Sequence, residues 1–276
     1  MDFQTNYITP DIKLSEYRGE LYKAEAAFDD HILVWLISGE TRIIQGEASY
    51  TLGVGSIFLI PRNHVATFLN YSVDGRLHKS ATMHLTVPML ERFYALHLPV
   101  AAEPIPVKVM DLGKHPLLES CLASLIPYFD VQGAFPANIA ELKIVEAVSI
   151  LRIVEPAIDS ILANFEEPGK IDLAGFMEKH FMSNLPMERF GYLTGRSLST
   201  FQRDFKRIFH TTPQRWLTRK RLELAHYKLG EKKERPVDVY LEVGFEDLSH
   251  FSFAFKKQFG YSPAELAERS GASRLP

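Results

Sequence analysis

The hydrophobic period of this chain changes near Val87, and that change limits its possible folds more than any other feature. Residues 14–86 contain short runs rich in β-branched and aromatic side chains, such as HILVWLI and TRIIQG, separated by glycine and aspartate. Strands spaced about ten residues apart with turn signals predict an antiparallel sandwich or barrel. After Val87, apolar residues recur at three- and four-residue intervals, which predicts helices over 88–98, 117–129 and 139–165.

Length and composition exclude several classes of protein. At 276 residues, with 46% hydrophobic and 24% charged residues, the chain suits a globular protein of two domains. Its longest apolar run, residues 32–37, is far too short to cross a membrane, so we expect no membrane partner. The single cysteine, Cys121, rules out an internal disulfide and a cysteine-rich zinc site, and it indicates a cytoplasmic protein.

Charge is distributed unevenly along the chain. Residues 1–169 carry 12 Lys and Arg against 21 Asp and Glu, a net charge of −9. Residues 170–276 carry 19 against 13, a net charge of +6, and the two parts add up to the net −3 of the whole chain. A basic last third attached to an acidic remainder is typical of a polyanion-binding module, and it fits equally a basic surface with no partner.

The sequence MERFGYLTGRSLSTFQRDFKRIF at 187–209 predicts a helix, a turn and a second helix. Gly191 must be small because the second helix packs over it, and Gly195 ends the first helix with a positive φ. The second helix has an apolar stripe that we expect to be buried, formed by Phe201, Phe205, Ile208 and Phe209. Its other face is polar.

The sequence GFEDLSHFSFAFKKQFGYSP at 244–263 repeats this plan after the short helix VDVYLEV. Its turn glycine, Gly244, lies 49 residues after Gly195. Its apolar residues also fall at helical spacing, namely Phe245, Leu248, Phe251, Phe255 and Phe259. Between the two units, residues 213–229 form one amphipathic helix that could hold them at a fixed separation.

The two helix-turn-helix units, the helix between them and the ending FGYSP resemble the AraC/XylS family of bacterial transcription regulators. The resemblance is closest over about 175–270 and extends more loosely to the N-terminal half. It implies an α+β multidomain protein. Residues 1–112 would form a cupin-like antiparallel β-barrel with a regulatory role, 113–169 a helical connector that dimerises, and 170–276 an all-α DNA-binding domain.

Members of this family place the second helix of each pair in a major groove, with the two grooves about one turn of the duplex apart. Glutamine pairs with adenine and arginine with guanine in that groove. Carried over by position, the resemblance implies base contacts from Ser199, Gln202, Arg203, Leu248, Ser249 and Ser252. It implies contacts to the DNA backbone from Arg196, Thr200, Lys206 and His250.

Two residues depart from the family pattern in the second unit. Tyr240 stands where the family usually has alanine, so its ring must point sideways or push the helices apart. Phe253 stands where a polar side chain commonly reaches the DNA; it can touch a thymine methyl but cannot hydrogen-bond a base edge. We therefore expect the first unit to read the sequence and the second to contribute mainly backbone contacts.

The N-terminal half resembles the cupin-like sensory domain of the same family in VWLISGETRIIQGEASYTLGVGSIFLIPRNHVATF. A cupin metal site needs a His-x-His pair, a carboxylate and a further histidine. Here the first motif supplies only His31, and the last ligand position falls on Ala66, with His64 two residues early. His78 and His84 are likewise predicted to be surface or core residues. We expect no metal, no other cofactor and no catalytic residues.

The sequence thus predicts a cytoplasmic, DNA-binding transcription activator that forms a homodimer and contacts RNA polymerase. Its N-terminal domain would respond to a small molecule or to a protein partner, and a cupin-type metalloenzyme with an incidental helical tail is the alternative. If a small molecule binds, strand alternation could aim four aromatic rings into its pocket, those of Tyr22, Trp35, Phe58 and Phe68. Aromatic and polar groups converging inside the barrel would favour a small molecule, and a filled barrel a protein partner.

Overall fold

Among residues 2–45, 48–130 and 137–269, which this computed structural model describes, ten strands pair in two antiparallel sheets. The strands are β1 (Asp2–Thr9), β2 (Ile12–Arg18), β3 (Leu21–Ala26), β4 (His31–Ser38), β5 (Glu40–Gln45), β6 (Ala48–Leu52), β7 (Ile57–Ile60), β8 (Ala66–Tyr71), β9 (His78–Leu85) and β10 (Met110–Asp111). Strand β1 begins before the predicted strand region. The chain divides into two units, 1–167 and 168–276.

The two sheets are separate layers. One has the strand order β1-β2-β9-β4-β7-β10 and the other β3-β8-β5-β6. Among the described strands no ladder joins one sheet to the other, so the expectation of a closed barrel is wrong. Short alternating strands with tight turns are compatible with either arrangement, because closure depends on hydrogen bonds between edge strands that the sequence pattern does not report.

Strand β4 explains how one apolar run serves two cores. Its neighbours in the sheet are β9 and β7, with Leu33 paired to both Met83 and Leu59. Because side chains alternate along a strand, Ile32 and Val34 face the second sheet while Leu33 packs in the core shared with the helices. Both faces of the run HILVWLI are therefore covered.

Helices cover the outer face of the six-stranded sheet. They are α1 (Val87–Leu96), α2 (Pro116–Ala123), α3 (Ile126–Phe129), α4 (Ala137–Val154) and α5 (Asp159–Leu162), with a 3-10 turn at Pro156–Ile158. The predicted helices over 117–129 and 139–165 are each interrupted where a proline follows, at Pro127 and Pro156, because proline lacks an N–H and clashes with the preceding turn. These helices share one compact unit with the sheets, and the border predicted at 112/113 stays a prediction.

A buried carboxylate joins three of these segments. Asp159, at the start of α5, accepts hydrogen bonds from Tyr94 Oη at 2.6 Å, Val100 N at 2.7 Å and Arg152 Nε at 3.0 Å. Burial and the Asp159 carboxylate raise the pKa of Tyr94, so its hydroxyl remains a donor. These hydrogen bonds hold α1, α4 and α5 together.

The second compact unit, 168–276, consists of helices over the part that the structure describes. They are α6 (Leu173–His180), α7 (Met187–Leu193), α8 (Leu198–Phe209), α9 (Pro213–Gly230), α10 (Pro236–Glu242), α11 (Leu248–Phe259) and α12 (Pro263–Arg269). Helix α9 serves two hydrophobic cores. Its first half contributes Trp216 and Leu217 to the core around α7 and α8, and its second half contributes Leu222 and Ala225 to the core around α10 and α11. Residues 213–229 thus form the joining helix that the sequence predicts.

The turn glycines behave as their spacing predicts. A Cβ on Gly191 would lie 3.5 Å from Phe201 Cβ and 3.0 Å from Arg196 O, so α8 packs directly over this position. Gly195 has a φ of +65°. In the second helix-turn-helix unit, Tyr240 is half-buried against the core, and its carbonyl accepts the Phe245 N–H at 2.9 Å. Its side chain therefore takes part in the packing of that unit.

Arg221 of α9 connects the turn of the second helix pair to the segment before the first pair, through backbone carbonyls. Its guanidinium donates to Phe181 O at 2.8 Å, to Ser183 O at 2.8 Å and to Gly244 O at 2.9 Å, with Asn184 Oδ1 at 3.3 Å. The residue is only 7% exposed. Gly244 has a φ of +101°, and a Cβ there would lie 2.8 Å from Arg221 Nε. The turn of the second unit is thereby held to the segment that precedes the first unit.

We predict that Arg221→Met lowers the free energy of unfolding of this unit by about 3 kcal/mol, because it leaves several buried carbonyls without donors and each costs roughly 1–3 kcal/mol. The measurement is urea unfolding followed by Trp216 fluorescence in a Trp35→Phe background, since the chain has two tryptophans. Arg219→Met is the matched control, because Arg219 is exposed on the same helix and its loss should cost less than about 0.5 kcal/mol. Equal effects of the two variants would contradict a special role for Arg221.

Candidate nucleic-acid interface

The two second helices of the pairs, α8 and α11, are built alike. Ser197 caps α8 by accepting the Thr200 N–H, and Asp247 caps α11 by accepting the His250 N–H. Both helices have 12 residues, and both end in a left-handed residue, His210 in α8 and Gly260 in α11. Each of these features recurs 50 residues later in the second unit, so every position of α8 has a counterpart in α11.

The buried side of each helix leaves the opposite side in solvent. Phe201 and Phe205 are fully buried in α8, as are Phe251 and Phe255 in α11. The expectation that Ile208 belongs to the buried stripe is wrong, because its side chain is 40% exposed near the end of α8. The exposed face of α8 consists of Ser199, Gln202, Arg203, Lys206 and Arg207.

The predicted base contacts of the first unit lie together on this exposed face. Ser199, Gln202 and Arg203 all reach solvent, and the Arg203 side chain is 76% exposed. Arg203 Nε lies 3.8 Å from Asp204 Oδ1, and the guanidinium stays accessible. A planar guanidinium suits two parallel hydrogen bonds to guanine.

Asp204 is an electrostatic centre that sequence reasoning missed. It is buried on the inner side of α8, and Arg196 Nε donates to its Oδ2 at 3.2 Å. Lys170 Nζ lies 3.9 Å from the same carboxylate and Arg207 Nη2 lies 3.7 Å from it. The Arg196 hydrogen bond holds the pKa of Asp204 below its ordinary value. The sequence did contain a signal for it, because Asp204 is the single acidic residue in 198–209, where four residues are not apolar or neutral: Arg203, Asp204, Lys206 and Arg207.

The four predicted DNA-backbone contacts occupy different environments. Arg196 is engaged within the chain, since it also donates to Ile171 O at 3.1 Å and to Thr194 O at 2.6 Å. Thr200 is half-buried beside the Ser197 cap, while Lys206 and His250 are exposed. These contacts stay predictions; the exposed Lys206 and His250 are placed to meet phosphates without rearrangement.

The predicted base contacts of the second unit are less exposed than those of the first. Leu248 packs against the hydrophobic core, and Ser252 Oγ donates to Leu248 O at 2.8 Å. Ser249 alone of these three side chains is exposed. Besides Ser249 and His250, the outward face of α11 carries three further exposed residues, Phe253, Lys256 and Lys257. The two lysines were not assigned a role from the sequence.

The four aromatic residues proposed for an effector pocket do not converge. Phe58 and Phe68 stack with ring centroids 6.2 Å apart inside the core between the sheets. Trp35 packs against the other core, on the helix side of β4. Tyr22 lies beside Tyr17, with ring centroids 5.3 Å apart. Among the described residues, a cluster of buried apolar side chains lies between the sheets.

The histidines of the N-terminal unit also occupy separate places. His31 Nδ1 accepts the Arg62 N–H at 3.1 Å, and burial lowers its pKa to about 3. His78 Nε2 lies 2.9 Å from Thr41 Oγ1, and burial lowers its pKa to about 4. Burial also lowers the pKa of His84. Among the described residues, no three His, Cys, Asp or Glu side chains are grouped as metal ligands, and Ala66 lies in the core between the sheets.

Comparisons with known proteins agree with this division of the chain. Residues 193–269 match a family model described as a helix-turn-helix domain, and residues 31–151 match one described as the ExsA N-terminal regulatory domain. Within the described ranges, no helix is long and apolar enough to span a membrane.

Two curated relatives align over most of the chain. The HTH-type transcriptional regulator ExsA of Pseudomonas aeruginosa is 25% identical, and the alignment covers 83% of each chain. The virulence regulon transcriptional activator VirF of Yersinia enterocolitica is 23% identical over 92% of this chain and 94% of its own. A solved structure of an apo ToxT variant from Vibrio cholerae aligns with a TM-score of 0.46 and 12% identity, covering 93% of this chain and 96% of that one.

The relatives are transcription regulators, which disfavours the alternative of a cupin-type enzyme. The matches cover helices α8 to α12 and most of the N-terminal unit. The chain belongs to the AraC/XylS family of DNA-binding transcription regulators.

Proposed function

We propose that this protein is a cytoplasmic transcription activator that reads the base sequence of a promoter with α8 and holds the duplex with both helix-turn-helix units. The observation that carries this proposal is the exposed face of α8, where an amide and three cations stand side by side, namely Gln202, Arg203, Lys206 and Arg207. Amide and guanidinium groups recognise base edges, and ammonium groups contact phosphates. Activation further requires a contact with RNA polymerase.

Two substitutions on α8 separate base reading from phosphate contact. Arg203→Ala should weaken binding to the preferred site by roughly 1–3 kcal/mol and relax the preference at one base pair. Lys206→Ala should weaken binding to all sequences alike and reduce the slope of log affinity against log salt by about 1.

The measurement uses the full-length protein, a duplex obtained by selection from random-sequence DNA and a salt series. Lys206→Ala serves as the matched control, since Lys206 is exposed on the same face one turn further along α8. If Arg203→Ala lowered the affinity for every sequence equally, Arg203 would be a phosphate contact and its assignment to a base would be wrong.

We also propose that the protein forms a homodimer through the outer face of α4. Leu142 and Ile153 are 63% and 69% exposed, and they lie 11 residues apart. Eleven residues make about three turns, so both side chains lie on one face, about 16 Å apart along the helix. Glu146 and Ser149 are exposed between them. The opposite face of α4 is buried in the core of its own unit, so a second copy can pack on this face without unfolding the first.

The double variant Leu142→Asp/Ile153→Asp should be monomeric at concentrations at which the wild type is dimeric, because it places two carboxylates in an apolar contact. Sedimentation equilibrium over a concentration series measures this, with Leu96→Asp as the control for a charge placed on an exposed leucine of α1. A variant that dimerises as tightly as the wild type would show that the contact lies elsewhere.

For regulation, we propose that a protein partner acts on the N-terminal unit, and that no small molecule is enclosed between its sheets. Support comes from the filled space between the two layers, where Ile43, Phe58 and Phe68 are almost fully buried. Interiors packed to this extent admit a ligand only after side chains move. The proposed pocket residue Trp35 packs in the other core, on the helix side of β4.

A small molecule bound between the sheets would raise the melting temperature with its concentration. We expect no such rise in a thermal-shift screen of small molecules with the wild-type protein. The opposite result would be a compound that raises the melting temperature of the wild type but not that of Phe58→Trp, a substitution that overfills the same space. Such a compound would establish a pocket between the sheets.

A further inference from the structure

Phe253 is an aromatic side chain on the solvent face of a helix whose other phenylalanines are packed inside. It is 70% exposed, whereas Phe251 and Phe255 on the same helix are fully buried. Among the described residues of 168–276, every other phenylalanine is buried or half-buried. Phe253 is also absent from the hydrophobic core formed by α9, α10 and α11. Packing within the second helix-turn-helix unit therefore gives no reason for a phenylalanine at this position.

The surroundings of Phe253 are cationic and polar. One turn before it on the same face lie Ser249 and His250, and one turn after it lie Lys256 and Lys257. All four are exposed. A protein contact centred on an aromatic ring would not require a surrounding of cations, whereas the approach to a polyanion does. The charge around the ring thus favours DNA as the occupant of this face.

The alignment of the two units gives Phe253 a specific counterpart. The caps Ser197 and Asp247 and the helix ends His210 and Gly260 are both related by a shift of 50 residues. The same shift carries Arg203, the proposed base reader of α8, onto Phe253. Lys206 is carried onto Lys256 in the same way. The cation that meets the backbone is thus retained, and the residue that meets the base is replaced by a phenyl ring.

We propose that Phe253 is a specificity-determining residue that selects thymine by contact with its 5-methyl group in the major groove. This inference rests on the proposed DNA-binding function. A phenyl ring cannot accept or donate a conventional hydrogen bond to a base edge, but it gains free energy when it covers the thymine methyl, the one apolar group that the major groove presents. The second unit then reads sequence by apolar contact, and its lysines hold the helix at the phosphates.

The test uses the full-length protein and two libraries of random-sequence duplexes, one containing thymine and one with uracil in its place. Selection from the thymine library should yield a bipartite motif with a thymine required in the part that α11 covers. Replacing that thymine with uracil should weaken binding about fourfold, which corresponds to the burial of one methyl group. Uracil at other positions should have a smaller effect.

Variants assign the effect to the residue. Phe253→Ala should bind the thymine and uracil duplexes equally, and Phe253→Arg should change the preference at that base pair to guanine, as arginine does in the major groove. Val237→Ala is the matched control for loss of an exposed apolar side chain, because Val237 is 51% exposed on α10, outside the outward face of α11. It should retain the loss of affinity on uracil substitution.

The outcomes separate the inference from the function on which it rests. If no duplex is enriched by the wild type, the proposed DNA-binding function fails and the inference fails with it. If a motif is enriched but uracil substitution has the same effect on wild type and Phe253→Ala, DNA binding stands and the role of Phe253 is overturned. If Phe253→Ala binds DNA like the wild type but activates transcription less, the ring contacts a protein and the proposed thymine contact is wrong.

Discussion

The DNA-binding unit depends on the hydrogen bonds that the guanidinium of Arg221 donates to backbone carbonyls. It satisfies carbonyls of Phe181 and Ser183 before the first helix pair and of Gly244 in the turn of the second. Helix α9 also packs one half against each pair, so it links the two pairs through both hydrophobic cores. Two recognition helices joined in this way present a fixed spacing to the duplex, so the free energy of ordering them is supplied on folding and not on binding.

The two recognition helices share one frame and carry different chemistry. Their caps, lengths and left-handed ends correspond position by position, which places Arg203 and Phe253 at equivalent points. In α8 the buried Asp204 lies within 4 Å of Arg196, Arg203 and Arg207. In α11 the position that corresponds to Arg203 is occupied by the exposed Phe253. The two helices therefore present different side-chain chemistry at the same position.

The regulatory unit illustrates why a pattern of strands is a poor guide to a ligand site. The sequence correctly predicted that residues 31–37 form a strand. The alternation of side chains along a strand does not tell which face meets the second sheet and which meets the helices. In the structure Trp35 faces the helices, while Phe58 and Phe68 stack between the sheets. Three of the four candidates, Trp35, Phe58 and Phe68, thus belong to two different cores.

The sequence by itself determined the order of strands and helices, the two helix-turn-helix units and the face of α8 that carries Gln202 and Arg203. These follow from local rules, since hydrophobic period, proline and turn glycines act over a few residues. Only the tertiary structure decided that the strands form two sheets without closing a barrel, that Arg196 turns inward to Asp204, and that Arg221 joins the second turn to the segment before the first pair. Each of these depends on partners far apart in the chain, and the free energy of such contacts is set by burial and hydrogen-bond geometry that no local pattern records.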